Sequence, residues 1–495
     1  MSDAMARKRE LLRQRLAEQG LAATVETVEA PVRSDGDTTP LAVAQRRLWF
    51  VSYRDPADTS LTVPVALRVT GDLDEEKLHH AFEAVLARHE TLRATYELGP
   101  DGEPVMRHRA GVSLPWTTHD LTDLDERARQ RRLAVLARRE FSTPFDLTAD
   151  VPIRLTLIRT GAREHVLLLA AHHICVDDAS WPVLFADVAA AYRGADLAPL
   201  GVQYADVAPA VETAIDADVA YWREHLSPLP DLPILPGAET TGSDRRRSDR
   251  VMREIPVGVA AAVASAASTQ AATPFAAYLA ATWAYLHRIT GANDFLVAVP
   301  VTARPAGAED LIGYFGNSLL VRATVAPTDS FAELVTRAGA ELSEALAHQS
   351  APIDQVVAAI SRRDGGPRGG LDTLVSSSLS VRGEVRGPQI DGLEWEPLDE
   401  LGAAAGQLPL EFSIVGDLGG GPLALELEYD TAMLDEATAG GLLDSAIAFL
   451  AAITAEPATE IRRAPLLDPT ALDDALAASR GPAHDVALVP GGLLA

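Results

Sequence analysis

The run His165-Val-Leu-Leu-Leu-Ala-Ala171 constrains the fold of this chain most: it is apolar almost throughout and bounded by Arg163-Glu164. It fits a central strand buried on both faces, which needs strands beside it and a covering layer above and below. Ile153–Ile158 alternates as Ile-Arg-Leu-Thr-Leu-Ile, the pattern of a half-buried strand. Glu75–Arg88 carries Leu78, Phe82 and Leu86 at four-residue spacing, with Asp72 or Asp74 available as N-cap, and predicts a helix. Ser180 stands as an N-cap, with Pro182 in the first turn of an apolar helix running to Tyr192.

The second half repeats this alternation. Thr273-Pro274 opens a helix to about Ile289, Gly291 closes it, and Phe295–Val301 is an apolar strand. Further strands are expected at Leu319–Val325, Leu374–Val381, Leu410–Val415 and Leu423–Tyr429, and a last helix at about Glu436–Ile453. Interleaved strands and helices predict an α/β fold, with no short-period repeat. Pro, Asp and Gly at 226–249 mark a boundary between two halves. Residues 5–19 read as a short amphipathic helix stopped by Gly20, and the segment from Val25 to Thr39 as a linker.

The formal net charge of −27 argues against nucleic acid as a partner, because phosphate recognition needs Lys and Arg in excess. The single cysteine, Cys175, excludes an intrachain disulfide and a cysteine-built zinc cage, and fits a reducing cytoplasm. The N-terminus lacks the layout of a signal peptide. No uncharged run of 18 apolar residues predicts a membrane span; the Ala-rich stretch 256–286 comes nearest and reads as a buried helix.

Titratable groups gather in an apolar setting at Ala170-Ala-His-His-Ile-Cys-Val-Asp-Asp-Ala-Ser-Trp181. Successive strand residues point to opposite faces, so His172 and His173 cannot do the same job. One ring is expected in a cavity beyond the strand end and the other anchored in the body. Asp177 is placed to hold a ring or pair with a cation. By pattern alone this is either a pair of core histidines satisfied by hydrogen bonds or a proton-transfer site working near neutral pH. Diverging histidines with no second His/Asp cluster speak against a metal. No Gly-x-Ser-x-Gly elbow and no phosphate loop ending in Lys-Ser/Thr is present.

His172-His-Ile-Cys-Val-Asp-Asp178 resembles the His-His-x-x-x-Asp-Gly motif of nonribosomal peptide synthetase condensation domains. Five further segments resemble that family's signatures in its order: Ala44-Gln-Arg-Arg-Leu-Trp-Phe50, Arg88-His-Glu-Thr-Leu-Arg-Ala-Thr-Tyr96, Gln203-Tyr-Ala-Asp-Val207, Ile312-Gly-Tyr-Phe-Gly-Asn317 with Val321-Arg322, and His348-Gln-Ser-Ala-Pro-Ile353. The resemblance covers about residues 40–468. It implies two chloramphenicol acetyltransferase-like lobes, at 40–225 and 226–468, forming a V-shaped pseudo-dimer with a tunnel between them. It also implies an acyltransferase that forms a peptide bond between a donor aminoacyl or peptidyl thioester and an acceptor aminoacyl thioester. Both would ride on the phosphopantetheine arms of carrier proteins, with no cofactor bound by the domain itself.

By the same resemblance His173 matches the catalytic histidine, a positioning group or general base. His172 matches the structural one, Asp177 the aspartate that shapes the site, and Arg304 the arginine that pairs with it across the lobes. Ser376, Ser378 and Trp181 are expected to line the tunnel. The family's usual glycine is Asp178 here, a residue that tolerates left-handed backbone better than most. Alternatives carried by that departure are modified chemistry (dehydration or ester formation), epimerisation, or a non-catalytic platform recruiting a tailoring enzyme. Residues 469–495 resemble a linker toward an adenylation domain, and residues 5–19 would suit docking of an upstream synthetase.

Overall fold

A computed structural model describes residues 33–208, 215–230, 232–235, 248–364, 371, 374–383, 385–398, 401, 408–468, 470, 472–473 and 476–477. The expected leader helix at 5–19 and the tail 480–495 lie outside them.

The first half holds β1 (Thr38–Pro40), α1 (Val43–Arg54), β2 (Thr62–Gly71), α2 (Glu75–Arg88), β3 (Thr95–Leu98), β4 (Pro104–Arg107), β5 (Trp116–Asp120), α3 (Glu126–Ser142), β6 (Ile153–Gly161), β7 (Glu164–His172), α4 (Ser180–Tyr192), α5 (Tyr204–Val207) and α6 (Ile215–His225). The second holds β8 (Ser248–Ile255), α7 (Val257–Thr269), α8 (Pro274–Thr290), β9 (Asp294–Thr302), β10 (Gly316–Thr324), α9 (Phe331–Ala347), α10 (Ile353–Asp364), β11 (Ser377–Arg382), β12 (Leu393–Pro397), β13 (Leu410–Gly416), β14 (Leu423–Asp430) and α11 (Glu436–Ala455).

The apolar run at 165–171 is the core of β7, the central strand of the first sheet, whose order is β12-β2-β7-β6-β5. It lies between β2 and β6, antiparallel to both, and is buried along its length. Beside it, β6 is not half-buried: Thr156 and Ile158, on its second face, are buried as well. The reason is α3, whose Glu140 takes hydrogen bonds from Thr156 Oγ1 (2.8 Å) and Arg154 Nε (2.9 Å).

The second sheet has the order β10-β9-β11-β13-β14-β8, with β11 parallel to both neighbours. Its start is a departure from expectation, since β8 occupies the end of a segment read as a boundary. The Ala-rich stretch is two helices, not one: α7 ends before residue 270, and α8 is capped by the Thr273 hydroxyl and stopped at Gly291, where φ is 77°. Among the described residues one helix, α11, is long and apolar enough to cross a membrane by length and composition. Its buried Leu443, Phe449 and Ile453 pack in the second core, which accounts for that composition.

Two stretches depart from a division of the chain into consecutive halves. The expected linker up to Thr39 is pinned in part: β1 pairs with β4, and Arg33 donates to Glu90 at 3.0 Å. The strand β12, late in the chain, pairs antiparallel with β2 and so completes the sheet of the first half.

Candidate active site

The strand β7 ends at His172, and the chain turns through residues 173–179 into α4. The two histidines separate as alternation requires. His172 is buried; its Nδ1 accepts from the Ile174 amide (3.1 Å), so its Nε2 carries the hydrogen and donates to Ser52 Oγ (3.0 Å). Burial, and then the neighbouring His173, hold its pKa down at about 3, so it stays neutral.

His173 is half-buried. Its Nδ1 lies 2.8 Å from the Val176 carbonyl, an atom that can only accept. The hydrogen of the neutral ring therefore sits on Nδ1, and Nε2 presents a lone pair. The ring packs edge-on against Tyr314, with centroids 5.0 Å apart. Cys175, in the same turn, is fully buried with its thiol pushed up by desolvation, so it is no nucleophile.

Asp177 ties the loop to the second half. Its Oδ1 accepts from Arg304 Nη2 and from Ser180 Oγ, each at 2.7 Å, and its Oδ2 from the Phe315 amide at 3.2 Å. Arg304 also donates through Nη1 to the Ala308 and Leu311 carbonyls (2.9 and 2.6 Å) and lies 4.4 Å over the Phe315 ring. Both carboxylate oxygens of Asp177 and both terminal nitrogens of Arg304 thus have partners, which helps a buried ion pair hold its geometry, while the buried Arg304 Nε has none. Ser180 is not the N-cap of α4; that position is Ala179, without a side-chain cap. The Ser180 hydroxyl instead serves Asp177 and accepts from the Gly313 amide at 3.2 Å.

Glycine is required on the partner loop for close approach. A Cβ at Gly313 would stand 2.0 Å from the Tyr204 ring, and one at Gly316 2.8 Å from Tyr314. Tyr204 in turn donates to the Tyr314 carbonyl (2.7 Å). The remaining segments are scaffolding for this junction. Gln45 Nε2 donates to the Ile174 carbonyl (2.9 Å). Gln203 Nε2 donates to the Arg88 carbonyl, while Asn317 holds the Gln349 and Ala351 carbonyls.

A cavity of about 730 Å³ opens beside the loop, lined by Trp181 and Asp178 from the first half and by Arg382, Glu411, Glu426 and Glu428 from the second. Ser376 and Ser378 are not among its lining residues; Ser378 is buried in β11, with Ser380 and Arg382 further along the same face. Asp178 lines the cavity and is exposed to it, yet desolvation by the nearby protein raises its pKa, with Asp177 adding to the rise. Its backbone does not use the left-handed region: among described non-glycine residues only Ala271 has positive φ. The loop thus accepts an Asp because it needs no glycine conformation there. The carboxylates on the second sheet and Tyr314 were not singled out from sequence; alternation of Glu426 and Glu428 with apolar Leu425 and Leu427 was the available signal. Among the described residues no group of three His, Cys, Asp or Glu is placed to hold a metal.

A family profile described as "Condensation domain" matches residues 36–474. The chain is 31% identical over 441 residues to a "Probable non-canonical nonribosomal peptide synthetase (NRPS) CymA" of Salinispora arenicola (strain CNS-205), covering 82% of the chain and 5% of the relative. It is 33% identical over 347 residues to "Phosphinothricin tripeptide synthetase PhsC" of Streptomyces viridochromogenes (strain DSM 40736 / JCM 4977 / BCRC 1201 / Tue 494), 66% of the chain and 31% of the relative. The chain thus spans less than a third of either relative's length. Among solved structures, the X-domain from teicoplanin biosynthesis superposes with a TM-score of 0.76 at 26% identity, covering 89% of this chain and 99% of that one. The first condensation domain of the calcium-dependent antibiotic synthetase gives 0.72 at 22%, covering 87% and 100%, and is alike in fold.

Proposed function

This chain belongs to the condensation-domain family of nonribosomal peptide synthetases, and we propose that it forms a peptide bond between two thioester-bound substrates. The donor is an aminoacyl or peptidyl thioester and the acceptor an aminoacyl thioester, both on the phosphopantetheine arms of carrier proteins. The acceptor amine attacks the donor carbonyl, the C–N bond forms and the C–S bond breaks. The amine loses one proton and the leaving thiolate gains one. His173 is the catalytic residue, and its role is to hold the attacking amine and receive that proton at Nε2. Asp177, Arg304 and His172 act as positioning residues. The adjacent adenylation domain and an upstream synthetase remain the partners expected for the two ends of the chain.

The observation that carries this reading is the His173 ring: its tautomer is set by the Val176 carbonyl, and its basic nitrogen is left for a substrate. A second reading, a platform that recruits a tailoring enzyme, draws on the likeness to the X-domain, of which a complex with OxyB is known. Intact-mass spectrometry of a loaded donor carrier and a loaded acceptor carrier separates them. Transfer to the acceptor is expected, and His173→Ala should slow it by about 10²-fold or more. Transfer that persists unchanged in that variant removes His173 from the chemistry; loss of water from the donor without transfer points to dehydration instead.

A further inference from the structure

The helix α3 (Glu126–Ser142) has two unlike sides. Leu136, Ala137 and Phe141 are buried in the core of the first half. Arg127, Arg131, Arg132, Arg138 and Arg139 are all exposed, and so is Val135, at 54%. Spacing puts them on one face: Arg127, Arg131, Val135 and Arg138 follow each other at helical three- and four-residue steps, and so do Arg132, Val135 and Arg139. An apolar side chain thus sits in the middle of a group of guanidiniums.

A solvated helix face ordinarily mixes both signs, with acids three or four residues from the bases they balance. This face has no such acid. The two glutamates of the helix are engaged with arginines outside the group, Glu126 with Arg129 at 3.0 Å and Glu140 with Arg154 at 2.9 Å. None of the exposed arginines forms an ion pair with a described residue. Arg127 and Arg131, one turn apart, repel each other, and Arg127 stands in the first turn beside the positive end of the helix dipole. The chain has 70 acidic residues against 43 basic ones, so the cluster runs against its overall charge. The face also has a definite place. Glu140, in the last turn, bonds Arg154 and Thr156 of β6, and Arg154 lies opposite Ala170, two residues before His172. Past the helix, Phe145 packs edge-on against the His172 ring, with centroids 6.0 Å apart. The C-terminal end of α3, with Arg138 and Arg139, therefore stands at the end of the first sheet from which the active loop leaves.

We infer that this face is the landing surface for one of the two carrier proteins. Arg131, Arg132, Arg138 and Arg139 draw in its anionic side, and Val135 takes an apolar contact. The inference rests on the reading that carrier-borne thioesters are the substrates. The arm hangs from its carrier through a phosphodiester, so the approaching part of a carrier is negatively charged there by chemistry. At −27 overall the chain repels an anionic partner as a whole and attracts one at this face, which orients the encounter as well as speeding it. A lipid surface fits less well, because the apolar side of α3 is buried in the core and only Val135 remains to enter a bilayer. Exposed charges of this kind act on encounter, so their effect belongs in KM and in salt dependence, not in the transfer step.

The test compares one aminoacyl group delivered on a carrier domain of the same assembly line and on free pantetheine, with the whole chain as the enzyme. The double variants Arg131→Glu/Arg138→Glu and Arg132→Glu/Arg139→Glu should each raise KM for one carrier-borne substrate at least about tenfold, with kcat little changed. The KM of the unaltered chain should climb with salt, and that of the variants far less. Transfer from the free pantetheine thioester should not move, and Arg131→Lys/Arg138→Lys should keep most of the carrier affinity. Arg163→Glu, an exposed arginine outside α3, should leave KM unchanged, and thermal melting verifies that each variant is folded. Unchanged KM in both glutamate variants, with transfer continuing, overturns the docking face and leaves peptide-bond formation standing. An equal loss with carrier-borne and free substrates overturns it too. So does a carrier affinity that stays put while the same arginines govern self-association or sedimentation with phosphatidylglycerol vesicles. Arginine-dependent carrier binding in calorimetry, without transfer from any donor, keeps the docking face and sinks the enzymatic reading.

Discussion

At the scale of single residues, the two adjacent histidines show how one backbone turn separates holding from reacting. His172 is neutral because it is buried, and that neutrality makes it pH-sensitive. Its folded pKa of about 3 lies below the ordinary value of about 6.5, so the unfolded chain binds the extra proton first. Its contribution to stability is complete above pH 6.5 and declines as pH falls toward 3, by up to about 1.4 kcal/mol per pH unit. Replacing it in His172→Asn should remove one proton's worth of slope from stability measured by denaturant unfolding between pH 6.5 and 4. Arg304 presents the opposite case, a buried charge kept charged. Truncation in Arg304→Ala strands the Asp177 carboxylate and should destabilise the fold by about 3–5 kcal/mol, read as a shift in the unfolding midpoint. Transfer should fall with it, because Asp177 and Phe315 lose their common anchor.

At the scale of elements, the approach of the loop at 312–317 to the short helix α5 decides whether the two halves meet in register. In Gly313→Ala the added methyl would collide with the Tyr204 ring, and overpacking of this kind costs about 1–3 kcal/mol or more. Combining it with Tyr204→Leu should recover part of the loss in thermal melting, since the ring that blocks the methyl is gone. Independent, additive losses would show that the clash is relieved some other way.

These elements also show what was legible in the chain beforehand. The strand β7, the helix from Pro274 with its Thr273 cap and the divergence of His172 from His173 follow from local pattern, because period and capping are written in adjacent residues. The Ser180 hydroxyl has the local pattern of a cap, but its partners are Asp177 and Gly313, the second of them 133 residues distant. The burial of Thr156 and Ile158 has a like origin: a covering helix, α3, turns an alternating strand into one buried on both faces. The row of Ser378, Glu411, Glu428 and Arg250 exists only in the register of four strands. No window along the chain contains it.

At the scale of the whole molecule, the five-stranded and six-stranded sheets border one cavity, and β12, late in the chain, belongs to the five-stranded sheet of the first half. Without β12, the backbone of β2 is an open edge, a template for pairing with other chains. Expressed alone, residues 1–225 should therefore associate or aggregate in size-exclusion chromatography, and co-expression with residues 226–495 should recover a soluble complex. A monomeric, cooperatively folding 1–225 would show that β12 is dispensable.

The strand β12 also bears on inheritance. Leu398, just after it, and Trp395 within it belong to the apolar core of the first half although they are encoded well into the second. A recombination event that joined the upstream part of one synthetase to the downstream part of another near residue 226 would set a foreign strand against β2. Durable crossovers in such genes would keep β2 and β12 from the same parent. Sequence segments upstream and downstream of the cavity should accordingly drift together along that one seam and more freely elsewhere.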